Sequence, residues 1–166
     1  MKDVFDSSAP GTLSDLPDTL PTLETHLGYW LRRVSNHVSG AFARQLQQRQ
    51  TSVAEWVALR HIYGSSNITS AELANRIGMT RGAISKVLDK LEAKRWIARA
   101  ANPEDNRVQW LTLTSGGEQV LPKLAQIADS NDVAFFACLS TEEQVLLRTL
   151  LQKLTNAHQW NDTPID

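Results

Sequence analysis

The chain of 166 residues carries 42% hydrophobic and 21% charged side chains, enough to bury one compact core and too apolar for disorder throughout. Seventeen Lys and Arg against eighteen Asp and Glu leave a formal charge of −1, which excludes a histone-like polycation and an acidic solvating chain, so any basic face must be local. A single cysteine, Cys138, rules out an intrachain disulfide, no apolar segment follows a basic start at the N-terminus, and the longest apolar run, Val133 to Leu139, has seven residues where a membrane span takes about 20. The expectation is a soluble, cytoplasmic protein with no membrane partner.

Residues 1–24 carry Pro10, Gly11, Pro17 and Pro21 among Ser, Thr and Asp and read as an arm. From Leu27 the pattern changes: Trp30, Leu31, Val34, Val38, Ala41, Phe42 and Leu46 recur at three- and four-residue steps, which predicts a long first helix to about Gln50. Ser52 with Glu55 has the spacing of a capping box and opens a second helix that ends near Gly64. Thr69 with Glu72 repeats the spacing for a short third helix stopped by Gly78. Thr80 can cap a fourth helix, to about Lys94, with Ile84, Val87, Leu88 and Leu91 on its apolar side. Trp96–Ala100 and Arg107–Leu113 flank the turn formers Asn102-Pro103-Glu104-Asp105-Asn106 and predict a two-stranded hairpin. A fifth helix carries Val120, Leu124 and Ile127, although Pro122 should kink it if it begins as early as Ser115. A sixth, capped by Ser140 and Glu143, carries Leu146, Leu147, Leu150, Leu151 and Leu154.

This is a mainly α chain with a small β-hairpin wing. The order helix, glycine-containing turn, helix, hairpin is that of a winged helix-turn-helix, whose second helix enters the DNA major groove. Residues 81–107 hold seven basic and four acidic side chains, a balance of +3 on a remainder of −4, which suits phosphate binding and is equally the composition of a solvated helix face. Arg81, Ser85 and Lys86 share the polar face of the fourth helix, and Gly82 is small enough for close approach. Thr80 at the helix start offers a hydroxyl and an amide to a phosphate.

Ordered segments narrow the reading further. Leu27-Gly28-Tyr29-Trp30-Leu31-Arg32-Arg33, Glu55-Trp56-Val57-Ala58-Leu59, Glu72-Leu73-Ala74, Pro103-Glu104-Asp105-Asn106-Arg107 and Leu113-Thr114, with Gly117 three residues on, occur in one chain. Over residues 25–156 the sequence resembles the MarR family of bacterial transcriptional regulators. The resemblance implies a homodimer whose terminal helices interlock, double-stranded operator DNA of pseudo-palindromic sequence as partner, and relief of binding by a small aromatic or phenolic effector or by oxidation. It implies a wing pair, Asp105 and Arg107, that orients a guanidinium toward the DNA backbone or minor groove, while Asn106 stands where the family often has a cation. Trp30, His37, Trp56 and His61 are the candidate effector-binding residues.

The expected organisation is an arm over 1–24, a helical dimerisation region formed by 25–50 and 115–158, a winged helix-turn-helix lobe over 51–114, and a tail over 159–166. No metal or cofactor is expected, because His26, His37, His61 and His158 lack ligand spacing. No nucleotide-binding or hydrolase motif points to an enzyme. Cys138, in Ala134-Phe135-Phe136-Ala137-Cys138-Leu139, reads as a small buried hydrophobe. The rival reading is a winged-helix module that binds proteins without specific DNA contact, since fold alone does not fix function.

Overall fold

The computed structural model describes residues 20–65, 67–101 and 108–159. The chain divides between Ser35 and Asn36 into two units. In the first, a 3₁₀ turn over Leu23–Thr25 leads to helix α1 (Leu27–Gln48). The Trp30 indole N–H donates to the Glu24 carbonyl at 2.8 Å, and the Tyr29 ring stands edge-on to it at 5.4 Å. Leu27, Leu31 and Val34 are exposed here, so these apolar positions of the helical pattern find no cover within the unit.

The second unit takes up the rest of α1 and continues through α2 (Val53–Tyr63), β1 (Ile68–Thr69), α3 (Ser70–Arg76), α4 (Arg81–Ala93), β2 (Ile97–Ala101), β3 (Gln109–Leu113), α5 (Ser115–Phe136) and α6 (Thr141–Ala157). The starts of α2, α3, α4 and α6 are those the sequence announces, and Thr114 adds a cap for α5 that it does not. Ser52/Glu55, Thr69/Glu72 and Ser140/Glu143 each form a complete capping box, and Thr80 and Thr114 accept from the amides three residues on. Gly78 takes φ 67°, the left-handed backbone that turns α3 into α4 at low cost only for glycine. The core gathers Leu46, Leu59, Ile68, Leu73, Ile77, Ile84, Leu88, Leu91, Leu111 and Leu124, drawn from every element except β2 and α6, with Ile97 of β2 buried beside them. Helices α2 to α5 and the end of α1 therefore spend apolar positions on one shared centre, which makes the lobe a rigid support for whatever α4 presents.

The structure departs from the sequence reading in three places. The sheet has three antiparallel strands, not two, in the order β1-β3-β2, with Ile68 opposite Leu111 and Leu111 opposite Arg99. Two residues are too few for an alternating pattern, and Ile68 reads in sequence as part of a loop. Helix α5 begins at Ser115 and runs unbroken past Pro122, which is exposed, while Leu121 and Leu124 beside it are buried and hold the helix in place. Cys138 is exposed, not buried, because it follows the last turn of α5 instead of lying on its inner face. Asn131, a polar residue on α5, is 7% exposed, accepts from Gln45 and donates to the Val38 carbonyl, so it ties α5 to α1 within this unit.

Two local arrangements hold the lobe together around Lys94-Arg95-Trp96. The Lys94 ammonium donates at 2.6 Å to both the Gln50 carbonyl and the Glu55 carboxylate, and it lies 4.7 Å from the centre of the Trp96 ring. Glu55, 3% exposed, also accepts from the Ser52 amide, so one carboxylate both caps α2 and anchors the end of α4. On the other side the Thr114 hydroxyl donates to the Arg95 carbonyl at 2.5 Å and its amide donates to the Trp96 carbonyl at 3.0 Å. Gly117, a turn further along, presses against that same carbonyl, and a Cβ there would overlap the oxygen.

Two outcomes follow for stability. Burial by itself raises the Glu55 carboxyl's pKa, but the Lys94 and Ser52 hydrogen bonds and the Lys94 charge outweigh it and hold it below the ordinary 4.5. A carboxylate depressed in the folded state stabilises fully above its unfolded value and loses that contribution as pH falls through the folded one. Glu55→Gln should therefore cost about 1.5–3 kcal/mol at neutral pH. In thermal melts at stepped pH the gap to wild type should hold down to about pH 4.5 and close below it. Gly117→Ala should lower stability by about 1–3 kcal/mol, because a backbone carbonyl cannot move aside as a side chain does. Chemical denaturation checks it, and a midpoint at the wild-type value would show that α5 can shift.

Candidate nucleic-acid interface

Helix α4 buries Ile84, Val87, Leu88 and Leu91 and turns Arg81, Gly82, Ser85, Lys86, Asp89 and Lys90 to solvent. The division follows from 3.6 residues per turn: Gly82, Lys86 and Asp89 stack on one outward ridge, and Arg81 and Ser85 stack on the next. Thr80 caps the helix, its hydroxyl accepting from Ala83 N at 3.2 Å, which spends one lone pair and leaves the exposed hydroxyl able to donate. A Cβ added at Gly82 would meet nothing within 4 Å, so no internal contact demands a glycine there and the ridge is open to an approaching surface. Thr80, Arg81, Gly82, Ser85 and Lys86 thus lie together at the exposed first half of one helix. Asp105, Asn106 and Arg107 lie outside the described residues.

Charge at this face is reduced by pairing. Of the cations between 81 and 101, Lys94 is engaged by Glu55, and Arg99 by Asp89 at 2.7 Å and Glu92 at 3.3 Å. Arg81, Lys86, Lys90 and Arg95 form no ion pair among the described residues. Simple counting cannot separate these two groups, because Glu55 is 39 residues from Lys94 in sequence and Asp89 reaches Arg99 only across the turn between α4 and β2. A cleft of about 350 Å³ lies between α3, α4 and β2, with Ser70, Arg81, Ser85 and Arg99 among its lining residues.

The four residues picked as effector contacts have separate local settings. Trp30 lies in the N-terminal unit, and His37 is exposed on α1. Trp56 stands edge-on to Phe42 at 6.3 Å with the Arg60 guanidinium 5.6 Å from its centre. His61 is half-buried, and burial together with the nearby charges of Arg76 and Arg60 lowers its pKa below 6.5, favouring neutral imidazole. Among the described residues no group of three or more His, Cys, Asp or Glu side chains is placed to hold a metal ion, and no helix is long and apolar enough to cross a membrane.

Comparison with known proteins fits this geometry. The sequence profile of the MarR family matches residues 51–109, which hold α2, the helix-turn-helix and the start of β3. The HTH-type transcriptional repressor Rv2887 of Mycobacterium tuberculosis is 30% identical over 128 residues, 77% of this chain and 92% of that one. The chain belongs to the MarR family. A putative transcriptional regulatory protein for the hcr operon of Thauera aromatica is 30% identical over 153 residues, 91% of each chain. The crystal structure of Rv2887 in complex with DNA superposes with a TM-score of 0.67 at 29% identity, covering 78% of this chain and 97% of that one. Members of the MarR family are transcriptional regulators and not enzymes, and the winged-helix architecture described above is theirs.

Proposed function

We propose that this MarR-family regulator is a repressor that binds a pseudo-palindromic operator as a homodimer, with α4 as the helix that reads bases, and that a small aromatic or phenolic effector releases it. The observation that carries the reading is the outer face of α4, where Arg81 and Lys86 are exposed, without an ion pair among the described residues, beside Ser85 and an unobstructed Gly82. Arg can meet guanine O6 and N7 with two parallel hydrogen bonds, Ser can donate or accept at either base, and the glycine lets the helix seat deeply in the groove. Thr80 at the helix start and the exposed Lys90 and Arg95 suit phosphates, which position the helix without reading sequence. Asp105 and Arg107, by the family resemblance, take the wing contact.

The apolar faces support the dimer. Helix α6 buries no residue in its own chain, and Val145, Leu146, Leu150, Leu151 and Leu154 are each 41–58% exposed. A row of half-exposed leucines along a 17-residue helix is costly in water and is relieved when the same face of a second copy covers it about a two-fold axis. A two-fold protein in turn places its two α4 helices on successive major grooves, which is what a palindromic operator presents. The effector reading rests on resemblance together with Trp56 and His61, which give α2 an aromatic and a neutral hydrogen-bonding group.

Selection from a random duplex library at physiological salt tests the function. The expected result is a two-fold symmetric consensus, and Arg81→Ala should cost about 1–3 kcal/mol on that operator and relax preference at one symmetric pair of positions. Recovery of no consensus would overturn the reading in favour of a protein-binding module. For assembly, the double substitution Leu150→Glu with Leu154→Glu should convert the dimer to a folded monomer of weak operator affinity, observed by analytical ultracentrifugation with circular dichroism as the folding control. A variant that sediments as the wild type does would place the interface elsewhere.

A further inference from the structure

Asp89 is out of place on a helix that meets DNA. It shares its outward ridge with Gly82 and Lys86, it is exposed, and Glu92 adds a second carboxylate less than one turn further on. Negative charge on a phosphate-facing surface opposes binding, so two such groups need a compensating task. The structure supplies one. Arg99 reaches from β2 to α4, its Nη2 donating to Asp89 Oδ1 at 2.7 Å while Nε lies 3.3 Å from Glu92 Oε2. Nε is sealed from solvent and makes no hydrogen bond, so the guanidinium is held between two carboxylates by one hydrogen bond to Asp89 and by its charge to Glu92.

Fold stability does not explain the arrangement. The Asp89 and Glu92 side chains are 62% and 42% exposed, and ion pairs of that kind contribute about 0–1 kcal/mol. Strand β2 is already fixed by its five-residue ladder to β3 and by buried Ile97. What the pair constrains is the angle between α4 and β2. These elements are joined by the tight turn at Lys94-Arg95-Trp96, where Arg95 takes φ 57°, and the Arg99 contact lies beyond that turn, about one helical turn from the end of α4. A tie at that distance from the joint resists rotation of one element against the other far better than the joint alone.

We infer that Arg99 is a positioning residue for operator recognition. It holds β2 against α4 through Asp89 and Glu92, so that the recognition helix and the hairpin meet the duplex in one fixed geometry. Sequence discrimination then depends on two acidic residues that oppose DNA electrostatically. The inference rests on α4 being the reading helix.

The test is operator and unrelated-duplex affinity for the full-length chain carrying Asp89→Asn or Arg99→Gln, each with a melting curve. Charge alone makes Asp89→Asn bind every duplex more tightly. Positioning predicts the reverse for the operator: a loss of about tenfold, within the coupling range of residues that share a network. Affinity for the unrelated duplex should hold or rise, and the melting temperature should stay within a few degrees. Arg99→Gln should lose operator affinity by a similar factor with little change on the unrelated duplex. An equal loss on both duplexes would make Arg99 a phosphate contact and overturn the inference. So would Asp89→Asn binding the operator more tightly while Arg81→Ala still relaxes the consensus. If Arg81→Ala leaves the consensus intact, the reading of α4 falls, and this inference with it.

Discussion

The buried carboxylate of Glu55 under the ammonium of Lys94 is the constraint on which the rest of the lobe depends. Removing two charges from water is costly, and the cost is offset only when the remaining hydrogen-bonding capacity is used. Here it is: the carboxylate also accepts from Ser52, and the ammonium also donates to the Gln50 carbonyl and lies over the Trp96 ring. One pair therefore joins the end of the α1–α2 turn, the start of α2, the end of α4 and the approach to β2. Without it α4 would keep its apolar packing but lose the polar anchor at its C-terminal end.

The two residues after Lys94 serve the other side of the lobe through their backbone. Carbonyls of Arg95 and Trp96 accept from Thr114, and the Trp96 carbonyl also occupies the space that a side chain at Gly117 would need. The Leu-Thr pair and its following glycine, which in sequence read as a family mark, thus have a packing reason. Thr114 caps α5 and fastens it to the α4–β2 turn, and glycine lets the helix sit close enough for both bonds to form. The lobe and the long helix α5 are joined at this point, directly against the turn that ends α4.

Much of this was legible in the sequence. Every helix of the lobe announced its start by a Ser or Thr cap, because capping needs a specific side chain at a fixed spacing, and the outward face of α4 followed from the positions of Ile84, Val87, Leu88 and Leu91. What stayed hidden depends on distance in space. Strand β1 is two residues whose strand character comes wholly from pairing with β3. The neutralisation of Lys94 and Arg99 is set by carboxylates that only the fold brings near. Cys138 looked buried because its neighbours are apolar, yet Val133 close by is 72% exposed, so local hydrophobicity there marks a surface.

Four cations between residues 81 and 101 without an ion pair among the described residues is a modest number for a protein that works on a polyanion. Non-specific affinity for DNA scales with the phosphates neutralised, and each charge committed internally is one fewer counterion displaced. In this segment, charge alone therefore offers few phosphate contacts per protomer. Where charge supplies little of the affinity, more of it falls to the match of shape and base edges. Binding held by fit more than by charge is correspondingly sensitive to small geometric change.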